Sequence, residues 1–249
     1  MLKKERQERI LTLLDKNDYL SIAAIATKLT VSKMTIRRDV AELAQNAQLI
    51  KLYGGVQRLE HVEQELATKD KIHAHISEKR SIGKLMNQLI DENDTIYIGA
   101  GTTLLYALQE IKKSKLFIVT NSLLAFHYLI QHTHYRVLLT GGEFSRTSEE
   151  FYGEIAEKAF TDLNIDIAFA ATNGIYNDHV TTVNSKEGAL QKVAFTHAKV
   201  KCVVADSSKF NKSDVYTFYS LSNLDYIITD SNLSDSAAAY YSTFAKIKI

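Results

Sequence analysis

The stretch Val31–Leu43, VSKMTIRRDVAEL, decides how the chain begins to fold. Ser32 is a natural N-cap, and Ile36, Val40 and Leu43 follow at i, i+4 and i+7, so the spacing predicts a short helix with one apolar stripe turned to a core. Met34, Arg38 and Ala41 project the opposite way, with Thr35 and Arg37 flanking them. Ser32 and Lys33 stand at the N-terminal end, where backbone N–H groups and the helix dipole favour a phosphate. Two readings of the arginines compete. Such a helix can enter a DNA major groove, or it can be a solvated face on which Arg38 merely pairs with Glu42 at i, i+4.

The flanking sequence narrows the choice. Upstream, Ile10, Leu11, Leu13 and Leu14 predict a helix over 3–14, Asp18-Tyr19-Leu20 interrupts it, and Ser21 caps a second helix carrying Ile22, Ile25, Ala26 and Leu29. Thr30-Val31 ends that helix. Downstream, Leu49–Tyr53 and Val56–Arg58 predict two short strands about the Gly54-Gly55 turn. Helix, helix-turn-helix and β-hairpin within residues 1–58 are the layout of a winged helix-turn-helix. Charge agrees: residues 1–60 hold 11 Lys/Arg against 7 Asp/Glu, a net of +4, while residues 61–249 hold 19 against 22, a net of −3. A small basic part on a mildly acidic larger one points to a polyanion-binding module attached to something else.

Residues 59–75, LEHVEQELATKDKIHAH, read as a linker or connecting helix. From residue 76 to 249 apolar runs at 95–98, 116–119, 136–139, 165–171, 200–205 and 226–228 alternate with helical stretches at 104–111, 123–130, 155–160, 189–198 and 237–244. That alternation predicts an α/β domain with a mainly parallel sheet and covering helices. Cys202 is the only cysteine and sits in KVKCVVA, the setting of a buried strand residue; a single cysteine excludes an internal disulfide. No apolar run approaches membrane-spanning length and the N-terminus is charged at once, so the expected location is the cytoplasm, with no membrane contact. The chain has no proline, for which the sequence offers no functional account.

In open parallel sheets ligands bind beyond the carboxyl ends of the strands. Here those ends read Gly99-Ala100-Gly101-Thr102-Thr103, Thr120-Asn121-Ser122, Thr140-Gly141-Gly142-Glu143, Thr172-Asn173-Gly174 and Asp206-Ser207-Ser208-Lys209. Together they suit a polyol phosphate: helix-start N–H groups and Lys209 for the phosphate, Asn121, Asn173, Asp206 and Glu187 for hydroxyls. Gly99-Ala100-Gly101 is not a dinucleotide fingerprint, because Leu104 replaces the third glycine and no ribose-binding acid follows. His73/His75 and His132/His134 lack further ligands of metal-site spacing, and no Gly-x-Ser-x-Gly elbow is present, so neither a metal, another cofactor nor a serine hydrolase is expected. Glu187 or Asp206 as a base in a sugar-phosphate isomerase is the enzyme alternative; the preferred reading is not an enzyme.

SKMTIRRDVAEL, with IAAIATKLTV before it and LIKLYGGVQR after it, resembles the DNA-binding domain of the DeoR family of bacterial transcriptional regulators. Tyr53 stands where that family usually has histidine, and Ala24 where it often has glutamate. The resemblance implies DNA contacts from Ser32, Lys33, Met34 and Thr35 to bases, from Arg37 and Arg38 to backbone phosphates, and from the wing residues Lys51, Tyr53, Gly54 and Gly55. GAGTT, VTNS, LLTGGEF, FYGEIAEKAF, ATNGI, NSKEGALQK and ADSSKF extend the likeness to the family's sugar-phosphate-sensing domain, whose fold is related to ribose-5-phosphate isomerase. It implies effector contacts from Gly99, Gly101, Thr102, Thr103, Thr120, Asn121, Gly141, Gly142, Asn173, Gly174, Glu187, Asp206 and Lys209. Residues 149–154 and 181–188 look most like the lactose phosphotransferase system repressors, whose inducer is tagatose 6-phosphate; Ile167 and Asn211 depart from residues common in the family. The implied protein is a repressor, a homodimer or homotetramer on a double-stranded DNA operator, released by a sugar phosphate.

Overall fold

The computed structural model describes residues 2–14, 17, 19–45, 49–52, 55–58 and 68–249; Tyr53 and Gly54 of the expected wing, and 59–67 of the expected linker, lie outside the described residues. The chain forms two compact units, Met1–Glu65 and Leu66–Ile249.

In the first unit α1 (Lys3–Leu14), α2 (Ile22–Leu29) and α3 (Lys33–Gln45) enclose Ile10, Leu14, Ile25, Ile36, Val40 and Leu43, all buried. The apolar spacing that predicts each helix is therefore the spacing that fills the core. Ser21 caps α2 by accepting from the Ala24 N–H at 3.1 Å. An N-cap has extended backbone, here φ −69° and ψ 149°, so the same residue also serves as a strand. With Leu20 it forms β1 (Leu20–Ser21), which pairs antiparallel with β3 (Gly55–Arg58), itself paired with β2 (Leu49–Leu52). The sequence reading took Asp18-Tyr19-Leu20 only as a break and missed β1. At Gly55 a Cβ would run into the Tyr19 ring, so the wing strand approaches β1 only because that residue is glycine.

The second unit is built on a seven-stranded parallel sheet. Its strands are β4 (Thr95–Ile98), β5 (Phe117–Thr120), β6 (Arg136–Leu139), β9 (Ile165–Ala171), β12 (Ala198–Val204), β14 (Tyr226–Ile228) and β15 (Lys246–Lys248), in the order β15-β14-β12-β9-β4-β5-β6. Predicted and observed strand limits agree to within two residues. Alternate side chains enter opposite layers: Ile96 and Ile98 join Ile82, Met86 and Leu104 on one face, while Tyr97 joins Phe160, Leu190 and Phe195 on the other. Burial on both faces explains why the inner strands β4, β5, β9 and β14 read as apolar runs. Cys202 is buried in β12, as its context predicts, and burial raises its thiol pKa.

Helices α6 (Thr102–Leu108), α7 (Leu123–His132), α8 (Glu154–Lys158), α9 (Ser185–Thr196) and α10 (Asp235–Tyr241) cover the sheet, together with a helical turn α4 (Thr68–Lys71) and α5 (Ile76–Leu89). Gly83 lets α5 lie against α6, because a Cβ there would stand 2.6 Å from the Ala107 Cα. The sequence reading missed α5, the β15 strand and two small antiparallel pieces: the hairpin β7 (Glu143–Ser145) with β8 (Glu150–Tyr152), and β10 (Gly174–Tyr176), β11 (His179–Thr182) and β13 (Tyr216–Ser220). Strands of three to five residues flanked by polar turns leave too short an alternation to read.

Candidate nucleic-acid interface and effector site

On α3 the triplet Arg37-Arg38-Asp39 divides. Ser32 Oγ caps the helix by accepting from the Thr35 N–H at 3.1 Å, which fixes the first turn outward. Asp39, only 1% exposed, turns inward and is gripped by both arms of the Arg6 guanidinium, with Nη2 donating to Oδ1 at 3.0 Å. Glu42 is also occupied: Lys3 Nζ donates to it at 2.7 Å and Gln7 Nε2 at 3.1 Å, and chiefly the Lys3 bond holds its carboxyl below the usual range. The alternative ion pair between Arg38 and Glu42 is therefore not made. Among the described residues Arg37 and Arg38 form no ion pair, and both are exposed beside Lys33 and Met34, the latter 64% exposed. Lys51 is exposed on β2. The acids of α3 thus point at α1, and its cations point at solvent.

In the second unit the strand ends gather around two clusters. The first centres on a residue the sequence reading missed. Lys79, on the buried side of α5, donates from Nζ to Thr102 Oγ1 at 2.9 Å and to the Lys71 carbonyl at 2.9 Å. Burial lowers its pKa, opposed by the charge of Asp206, and Lys209 adds a like charge. Asp206 accepts from the Ser208 N–H at 3.1 Å and from the Ser208 hydroxyl, so it fixes the turn that carries Lys209. A lysine on the same stripe as Ile82 and Met86 was the available signal: a charge at a core position needs a partner.

The second cluster lies beyond β5. Tyr97 Oη donates to Asn121 Oδ1 at 3.0 Å, and Asn121 Nδ2 donates to Glu150 Oε2 at 2.8 Å. Glu187, in the first turn of α9, accepts from Ser148 Oγ at 3.1 Å and Thr182 Oγ1 at 3.3 Å. Thr120 and Thr103 are buried at their strand and helix ends, and Gly101 holds φ 119° before α6.

Other predicted positions have packing duties. A Cβ on Gly142, at φ 110°, would stand 2.6 Å from the Tyr152 carbonyl oxygen; one on Gly174 would run into the Lys212 carbonyl. Gly141, at φ 66°, borders open space. Asn173 Nδ2 donates to Asp214 at 3.2 Å. Strand order sets a further limit: β12 and β6 are four places apart, about 19 Å at ~4.8 Å per strand, wider than one hexose phosphate. The β12–β9–β4–β5 span is the part a single ligand can bridge.

Residues 6–62 match the DeoR-like helix-turn-helix domain, and residues 74–231 match the DeoR C terminal sensor domain. The chain belongs to the DeoR family. This DeoR-family chain is 36% identical over 234 residues to a lactose phosphotransferase system repressor of Streptococcus mutans, covering 92% of this chain and 93% of that one. It is 35% identical to the repressor of that name from Staphylococcus epidermidis, covering 93% and 94%. With an HTH-type transcriptional regulator of Haemophilus influenzae it shares 34% over 240 residues, covering 96% and 94%. Ribose 5 phosphate isomerase A from Neisseria gonorrhoeae shows a faint likeness, with TM-score 0.40, 14% identity and coverage of 57% and 56%, too low to carry any argument. Among the described residues of this DeoR-type DNA-binding regulator no helix is long and apolar enough to cross a membrane.

Proposed function

We propose that the chain is a transcriptional repressor of a sugar-utilisation operon, released from its operator by a phosphorylated sugar. Residues 1–58 bind DNA, 59–75 connect, and 76–249 bind the effector. The observation that carries the DNA half is the divided triplet: Asp39 and Glu42 are engaged by α1, and among the described residues Arg37 and Arg38 form no ion pair, so with Lys33 they present positive charge on the outer face of a capped helix. Ser32, Lys33, Met34 and Thr35 are placed to meet base edges, and the arginines to hold phosphates.

The effector half rests on Lys79, Lys209 and Thr102 around the β12 and β4 ends, a cationic corner next to hydroxyl-binding groups. It suits a phosphate at one end of a polyol. The relatives named lactose phosphotransferase system repressors favour a lactose or galactose operon, and the resemblance to that group implies tagatose 6-phosphate as inducer. A homodimer or homotetramer would match a palindromic operator. The test is a reporter fused to the promoter of the adjoining sugar operon in a deletion strain. Loss of the gene should raise expression in the absence of sugar; a fall would make the protein an activator.

A further inference from the structure

Glu150 on β8 and Glu187 on α9 are 3% and 5% exposed, and their carboxyl groups are neighbours: Ser148, two residues before Glu150, donates to Glu187 Oε1 at 3.1 Å. Among the described residues no cation pairs with either. Lys186, the basic neighbour of Glu187 on α9, is drawn to Glu143 of β7 at 2.7 Å. Ser148 before β8, Thr182 of β11, Asn121 after β5 and Tyr97 of β4 face the pair with neutral groups only. Two touching carboxyls in such a setting hold one proton between them. Burial first, and then the charge of Glu187, raises the Glu150 pKa well above the usual carboxylate range.

The rest of the corner is short of donors. Glu187 is met by hydroxyls, the longer bond being that of Thr182 at 3.3 Å. One helical turn further along the same face of α9, Gln191 is buried and its Oε1 has no hydrogen-bond partner. An orphaned buried acceptor beside an unpaired carboxylate calls for a group that brings hydrogens. The corner is continuous with the strand ends, since the Tyr97 hydroxyl lies 3.3 Å from where a Cβ of Gly99 would stand.

We propose that Glu187 and Gln191 form the hydroxyl-reading pole of the effector site, recognising neighbouring hydroxyls of a phosphorylated sugar, with Glu150 as the positioning residue that fixes the Glu187 carboxylate. This rests on the effector reading above, in which the phosphate lies on the Lys79 side. A hydroxyl on the ligand replaces the long Thr182 bond and supplies the hydrogen that Gln191 lacks. A ligand without hydroxyls at that end gains nothing there, so the pole separates sugar phosphates from phosphate itself.

The test uses full-length protein in thermal-shift titrations with inorganic phosphate, fructose 6-phosphate and tagatose 6-phosphate. Glu187→Gln and Gln191→Leu should weaken sugar-phosphate binding by about tenfold or more each, from a lost buried hydrogen bond, with an unchanged response to inorganic phosphate. Unchanged sugar-phosphate binding in both variants overturns the proposal. Glu150→Gln keeps a neutral donor in place, so it should retain sugar-phosphate affinity, whereas Glu150→Ala should lose it; equal loss in both overturns the positioning role. A ligand-free arm separates this from the effector reading. Because the folded-state pKa of Glu150 is raised, its contribution is complete at low pH and falls as pH rises, so above the ordinary carboxylate range the wild-type melting temperature should drop more steeply with pH than that of Glu150→Gln. Parallel profiles overturn the shared proton. If neither sugar phosphate shifts the wild type, the effector reading falls and the ligand assignment with it, while the pH profiles still decide the carboxyl pair.

Discussion

Arg6 of α1 and Asp39 of α3 form a two-armed ion pair between the two helices, with Asp39 almost fully buried. The pair does two things at once. It locks α3 to α1, and it turns inward the acid that follows Arg37 and Arg38 directly in sequence. Charge-assisted bidentate pairs of this kind fix orientation as well as adding strength.

Replacing Arg37 and Arg38 by alanine should therefore weaken DNA binding without moving the melting transition. Each lost phosphate contact lowers the slope of log affinity against log salt by about 0.9. Salt titrations of the double variant by fluorescence anisotropy measure it. A slope equal to that of the wild type would assign the phosphate contacts elsewhere.

Substitutions on the inner face of α3 should behave in the opposite way. Ile36→Ala, at a fully buried position, should cost the N-terminal unit about 2–5 kcal/mol by leaving a cavity. Asp39→Asn removes the buried charge that the Arg6 guanidinium grips and should also destabilise that unit. In both, denaturant unfolding followed by circular dichroism should show an earlier first transition, with the effector unit unchanged.

Lys79→Met keeps the aliphatic stem and removes the desolvated charge. The variant should bind DNA as the wild type does yet fail to respond to sugar phosphate or inorganic phosphate, as should Lys209→Ala to a lesser degree. Isothermal titration of both ligands reads the difference. Loss of DNA binding along with the response would show that Lys79 serves the fold instead of a pocket.

Gly142→Ala tests a backbone constraint. At φ 110° and with the Tyr152 carbonyl in the way, an added methyl group should destabilise the effector unit by about 1–3 kcal/mol. Gly141→Ala, facing open space, carries only the φ cost and should be milder. Melting curves of the two variants rank them.

Much of this was legible in the sequence because the larger elements obey simple periods. Ile36, Val40 and Leu43 mark their helix by spacing, and the runs at 165–171 and 226–228 mark strands buried on both faces. The residue roles were less legible. Asp39 belongs to the same charged triplet as Arg37 and Arg38, and only the position of Arg6, 33 residues away in sequence, shows that it faces inward. Lys79 escaped notice, and Glu150 was read only within the resemblance at 149–154, for the same reason: each lies outside the polar turns that end the strands, and each becomes informative once its burial is known. Nor does the sequence state the order β12-β9-β4-β5-β6, which spreads the thirteen expected effector residues across the sheet.

The central claim is that a sugar phosphate bound in one unit controls the DNA affinity of the other. The most direct measurement selects a bound fragment from sheared DNA of the source organism, then follows its anisotropy with full-length protein while tagatose 6-phosphate and other hexose phosphates are added. Binding should be sequence-selective and should weaken by about tenfold or more with at least one of them, a coupling of ordinary allosteric size. Selective binding indifferent to every phosphorylated sugar, or no selective binding at all, would contradict it.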